Sequence, residues 1–138
     1  MSLVDKLLEN EYASSLLYIS VAILAVIVCL ACFELVTKYK CWSEIKRGNM
    51  AVAMATGGKI FGVCNIFRFS IEANDTIFKS LLWAGFGFAI LLFAYFLFEF
   101  LTPFFKIDAE IAADNRAVGL IAMIISISIS YVIGATIL

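Results

Sequence analysis

Long apolar runs separated by short polar stretches set the plan of this chain. The runs occupy residues 12–37, 50–71, 79–101 and 116–138. Each exceeds the roughly 18 apolar residues that suggest a bilayer span. At about 1.5 Å per residue, each also matches a hydrocarbon core of about 30 Å. The third run stops before Pro103, which cannot continue a helix. Within the fourth, residues 125–130 read ISISIS, and alternation with period two usually marks a strand. A lone strand leaves its backbone unsatisfied in lipid. Helix is therefore expected there too, with serines bonding back to carbonyls one turn earlier. The expected fold is all-α, a four-helix transmembrane bundle forming a single integral membrane domain over residues 1–138.

The polar stretches repeat. Glu44-Ile45, Asn49 and Ala51-Val52 recur as Glu110-Ile111, Asn115 and Ala117-Val118, each 66 residues on (44 to 110, 49 to 115, 52 to 118). Upstream, ELVT at 34–37 matches EFLT at 99–102, 65 residues on (34 to 99). The chain therefore reads as two helix–loop–helix copies, about 12–72 and 77–138. Each copy holds two spans, so the copies are expected to be parallel, related by an axis along the membrane normal. Asn49 and Asn115 stand just before their spans, where a side-chain oxygen can cap orphan amides. Glu44 and Glu110 lie on short amphipathic segments, 42–47 and 107–114. These are expected on the membrane interface, with Trp42 as a headgroup-level anchor.

Past the caps, small residues line the second and fourth spans. The second carries Ala55, Gly58 and Gly62, including a GxxxG step; the fourth carries Gly119, Ala122, Ser126, Ser130 and Gly134. Such ridges let helix backbones approach closely where lipid supplies no hydrophobic drive. They place spans two and four at the centre of the bundle, or at a subunit contact.

Composition agrees with a membrane protein: 64% of residues are hydrophobic and 15% charged, with a mean hydropathy of +1.03. That is too little polar surface to cover a soluble core of this length. A net charge of −1 points to no nucleic-acid partner. Histidine is absent, which removes the commonest general base and metal ligand. Cys29-x-x-Cys32 sits well inside the first apolar run and reads as a helix contact rather than a redox pair. No metal site, cofactor or catalytic residue is expected. The mixed charge of the first eleven residues does not match a cleavable signal, so the first span is expected to remain.

Intramembrane charge is the sharpest chemical feature. Lys59 lies nine residues after Met50, about 13 Å deep, where a lone lysine costs at least ~2.5–3.5 kcal/mol on insertion scales. Its repeat equivalent is Ile125, so the fold itself does not demand a cation there. Glu34 and Glu99 lie about one turn inside their spans, at about 6 Å depth. Pairing of Lys59 with either acid, snorkelling, or the lining of a solute pathway are the open readings. Arg68, at the far end of the second span, is expected to anchor at the opposite interface.

Loops one and three carry Lys38, Lys40, Lys46, Arg47, Lys106 and Arg116, against Lys6, Arg68 and Lys79 on the other side. The positive-inside bias places both loops in the cytoplasm and both termini outside. Trp42-x-x-Ile45-x-x-x-Asn49-x-Ala51, the glycines at 58 and 62, and the echo Ile111-x-x-x-Asn115-x-Ala117-Val118-Gly119 resemble the YjfL-like family. That resemblance implies a small four-pass protein of the bacterial inner membrane, built on a duplicated unit and without an established activity. Beyond the lipid bilayer, the expected partner is a second copy or another membrane protein. Two functional readings remain. One is a non-enzymatic module that forms an oligomer or docks a partner. The other is an ion or small-solute conduit at a subunit interface, lined by Lys59, Asn65 and the glutamates. An intramembrane enzyme is disfavoured, because no metal-ligand cluster or phosphate-cradling loop is present.

Overall fold

Apolar runs this long close all their backbone hydrogen bonds within helices, the open-ended solution available in lipid. In a computed structural model, residues 2–37, 39–101 and 106–137 are described, with side chains at all of these except 4, 8 and 99–101. The elements are α1 (Leu3–Glu9), α2 (Glu11–Val36), α3 (Cys41–Lys46), α4 (Met50–Ala73), α5 (Ile77–Leu101), α6 (Ile107–Ala112) and α7 (Arg116–Ile137). The four long helices, α2, α4, α5 and α7, are the transmembrane spans. Their ends fall within two residues of the apolar runs. Lys38, the side chain of Glu99 and the expected helix stop at Pro103 lie outside the described residues.

The ISISIS stretch is helical inside α7, and Ser130 Oγ donates to the Ile127 carbonyl at 2.6 Å. Helix α1 is an addition to the expected plan. Its start is a capping box: Asp5 N–H donates to Ser2 Oγ at 3.2 Å, and Ser2 N–H donates to Asp5 Oδ2 at 3.1 Å. Ser2 Oγ also donates to Asp5 Oδ2 at 2.8 Å, and this bond, followed by that from the Ser2 amide, holds the Asp5 carboxyl below its ordinary pKa. A single residue, Asn10, separates α1 from α2, and its Oδ1 accepts from the Tyr12 amide at 3.0 Å.

Helix α4 is the axis of the bundle: 61% of its apolar window is buried, against 6% for α2. The α4–α7 crossing rests on the small-residue ridges. A Cβ added at Gly58 would sit 2.6 Å from Met123 Cα, and one at Gly119 would sit 2.7 Å from Ala51 Cα. Gly62 faces the Ser126 carbonyl and the Ser130 side chain, and Gly134 faces the Phe69 ring. Asn65 Nδ2 donates to Ser130 Oγ at 3.0 Å across the same crossing. Ala55 is buried with α4, and Ala122 packs against its cluster from α7. These faces therefore meet inside one chain rather than waiting for a second subunit.

Helix α5 joins α4 near the 74–76 turn, where Ser70 Oγ donates to the Ser80 carbonyl at 2.5 Å. Helix α2 lies outermost; Phe33 is its one buried residue among those described. Its Leu16, Ile19, Leu24 and Val28 are exposed, as suits a lipid-facing helix. Helices α3 and α6 do not lie free on the surface. Cys41 of α3 and Ile107 and Ile111 of α6 are buried with Ala51, Val52 and Ala55 in one apolar cluster. They close one end of the bundle, and Trp42 is left exposed.

Candidate functional site

Lys59 sits between two apolar clusters. Ala55, one turn before it, belongs to the cluster under α3 and α6; Val63, one turn after it, belongs to a second with Phe33, Ile66, Leu91 and Ile133. The lysine is only 2% exposed. Its Nζ donates to Tyr39 Oη at 3.3 Å. It lies 4.9 Å from the Phe33 and Tyr95 ring centroids and 5.5 Å from that of Tyr39. One ring comes from α2, one from α5 and one from the 37–40 connection. Thr37 Oγ1 donates to the Tyr39 carbonyl at 3.1 Å and fixes that connection, burying both residues. A cation over a desolvated ring gains about 2 kcal/mol. Three rings and a hydroxyl therefore match the ~2.5–3.5 kcal/mol cost of a lysine at this depth.

Among the described residues, the Cys41 thiol of α3 and Asp108 of α6 lie within electrostatic reach of Lys59. Asp108 is 3% exposed. Of the open readings for Lys59, pairing with Glu34 is not what the structure shows: the ion pairs seen among the described residues include Arg47–Glu44, Arg68–Glu72 and Arg116–Asp114, and none joins Lys59 to Glu34. Glu34 is half-buried on α2, one position past Phe33, so its side chain leaves on a different bearing. For Glu99 the pairing falls on a side chain outside the described residues. The sequence reading passed over Phe33, Tyr39, Tyr95 and Asp108. One signal was available for Asp108: it lies beside Ile107 and Ile111, which share a helical face and are buried.

The two repeated loops close alike. Asn49 Oδ1 accepts from the Val52 amide at 3.0 Å and Asn115 Oδ1 from the Val118 amide at 3.4 Å. Asn49 Nδ2 donates to Glu44 Oε2 at 3.2 Å, and Asn115 Nδ2 to Glu110 Oε2 at 2.9 Å. The turn before each asparagine has positive φ, +87° at Gly48 and +61° at Asp114. The loops also interlock: Asn49 Nδ2 donates to the Ala112 carbonyl at 3.0 Å, and the Ala51 amide donates to Asp114 Oδ1 at 3.0 Å. Each glutamate thus orients a cap, and Asp114 adds a second cap to α4 from the other loop.

Residues 3–137 match the family described as Domain of Unknown Function (DUF350). The chain belongs to the DUF350 family. It is also 53% identical over 127 residues to a protein described as UPF0719 transmembrane protein YshE, from Bacillus subtilis (strain 168). That match covers 92% of this chain and 95% of the relative. No solved structure matches. Kinship over nearly the whole length makes this DUF350 chain a transmembrane protein of an uncharacterised family, in accord with its four spanning helices.

Proposed function

We propose that the protein is a non-enzymatic membrane module that assembles with further copies of itself across an open face of α4 and α7. The observation that carries this reading is a stripe left uncovered on the otherwise most buried helix. Gly57, Phe61, Cys64 and Arg68 of α4 are exposed at the i, i+4, i+7, i+11 spacing of one helical face. Phe61 lies 6.4 Å from the Tyr131 ring of α7. The two helices leave a recess of about 240 Å³ between Phe61, Cys64, Asn65, Arg68 and Tyr131. Glycine, cysteine and arginine suit a helix contact better than they suit lipid. The ridges at Gly58, Gly62 and Gly119 are already occupied within the chain, so this second face is the one left for assembly.

The rest of the reading follows from the sequence. The excess of lysine and arginine in loops one and three supports a cytoplasmic position for α3 and α6, with both termini outside. The two matching loops support a duplicated unit with parallel copies, and the Trp42–Asn49 motif supports kinship with the YjfL-like proteins of bacterial inner membranes. A non-enzymatic role is supported by the lack of histidine.

A chain retaining Cys64 alone, with Cys29, Cys32 and Cys41 replaced by serine, tests the interface. A short bis-maleimide added in native lipid should capture covalent dimers, and Phe61→Ala should reduce them. Monomers throughout, in native lipid as well as mild detergent, would refute the assembly. A second reading, a conduit at that same interface, is favoured by the polar lining of the recess, Asn65 and Arg68. Ion flux in proteoliposomes that is lost in Arg68→Ala would select it.

A further inference from the structure

We propose that α1 is an interfacial anchor: an amphipathic helix that lies along the lipid surface at the N-terminal end of α2, with its leucine side sunk to the boundary between headgroups and acyl chains. With the helix in place, register sorts its residues into two sides. At about 100° per residue, positions 3, 4, 7 and 8 span an arc of about 140°, and positions 5, 6 and 9 take the opposite side. The first set reads Leu, Val, Leu, Leu; the second reads Asp, Lys, Glu. Leu3 and Leu7, one turn apart, are both exposed, so the bundle leaves them uncovered. Asp5, Lys6 and Glu9 are exposed on the other side.

The place of α1 in the chain says what covers it. Helix α2 is a transmembrane span of 26 residues. At about 1.5 Å per residue it reaches about 39 Å, past a hydrocarbon core of about 30 Å and into the headgroups. Tyr12 near its start is exposed on one face with Leu16 and Ile19, an aromatic at headgroup level above a lipid-facing side. Asn10 alone separates this end from α1, so α1 begins at the same level. Asn10 is extended, with φ −92° and ψ 121°. A helix axis cannot run straight through such a residue, and α1 turns off the α2 direction there. Seven residues are too few for a helix to hold in water alone. The lipid boundary supplies the missing support, taking the leucine side while the charged side stays among the headgroups. The charges also select the lipid. Two acids against one lysine leave α1 net negative, so apolar burial in a zwitterionic leaflet drives the contact and an anionic surface is not needed.

The full chain in phosphatidylcholine nanodiscs provides the test, with Cys29, Cys32, Cys41 and Cys64 replaced by serine. An environment-sensitive NBD fluorophore is attached through Leu7→Cys or, on the charged side, through Lys6→Cys. At position 7 its emission should be blue-shifted and quenched by phosphatidylcholine bearing a doxyl group high on the acyl chain. It should also be at least about threefold less sensitive to iodide than at position 6. Leu3→Glu should return the label at position 7 to water. Equal iodide access at the two positions, or insertion only once phosphatidylglycerol is added, would each overturn the proposal. So would a label at position 7 that is shielded from iodide yet untouched by doxyl lipid, since a protein surface, a second copy included, would then be what covers α1.

Discussion

Helices α4 and α7 enter the membrane from matching loops, yet they carry different cargo through it. Both begin with an asparagine cap held by a glutamate. Both present glycine to the other's backbone, Gly58 to Met123 and Gly119 to Ala51. At position 59, however, α4 carries a buried lysine where α7 carries Ile125, 66 residues on (59 to 125). The shared features build the crossing. The unshared one needed its own environment, three aromatic rings and a tyrosine hydroxyl drawn from three parts of the chain. Scaffold and special chemistry are thus separable along one helix.

The largest expected effects fall on the shared crossing. Gly58→Leu and Gly119→Leu each force a side chain into backbone at under 3 Å. Each should cost about 3 kcal/mol, the upper end of the usual overpacking range. Equal losses in melting midpoint support two like contributions to the crossing; a harmless variant at either site breaks the likeness.

Exchanging the unshared position comes next. Ile125→Lys should cost at least about 2.5 kcal/mol, since Ile125 shares its cavity with Phe33 and Tyr95, rings already engaged by the Lys59 ammonium, and a second buried cation would sit near the first. Lys59→Met should cost less, because removing a buried charge also removes its desolvation penalty. Denaturant titration in detergent ranks the two, and the reverse order would show that position 59 is not specially prepared.

Smaller effects belong to the loops. Asp114→Ala removes the second cap on α4, for a loss of about 1 kcal/mol. Asp114→Gly should be milder, since glycine relieves the positive φ that aspartate bears there. Gly48→Ala places a side chain at φ +87° and should cost about 1–2 kcal/mol. The smallest effect concerns α1. The lowered pKa of Asp5 means its contribution is complete above the ordinary carboxylate range and is lost as pH falls through the depressed value. The protection of α1 amides, after division by the intrinsic exchange rate at each pH, should therefore fall only in strong acid, and Asp5→Asn should remove that fall.

The spans, their caps and the ridge glycines were legible because period, length and small-residue spacing are local properties. Gly58, Gly62 and Ser130 announce a close crossing by their intervals alone. What stayed hidden was long-range. Nothing local marks Tyr39 as the partner of Lys59 twenty residues away, or Tyr95 as a ring beneath it. Glu34 and Glu99 are candidate partners by depth along the helix axis alone, and of the two only the Glu34 side chain is among those described. Depth fixes height but not bearing around the bundle, and bearing is set by packing. The short helix α1 was legible in principle, through its Ser2-x-x-Asp5 capping box, but a seven-residue helix lies below the length at which periodicity speaks.

The central claim is that an aromatic cage, and not Glu34, holds Lys59 inside the bundle. A double-mutant cycle of Lys59→Met with Tyr39→Phe, read by reversible unfolding in detergent, tests it most directly. The account predicts a coupling of about 0.5–3 kcal/mol for that pair, and none resolved in the parallel cycle with Glu34→Gln. Coupling to Glu34 with none to Tyr39 would contradict it.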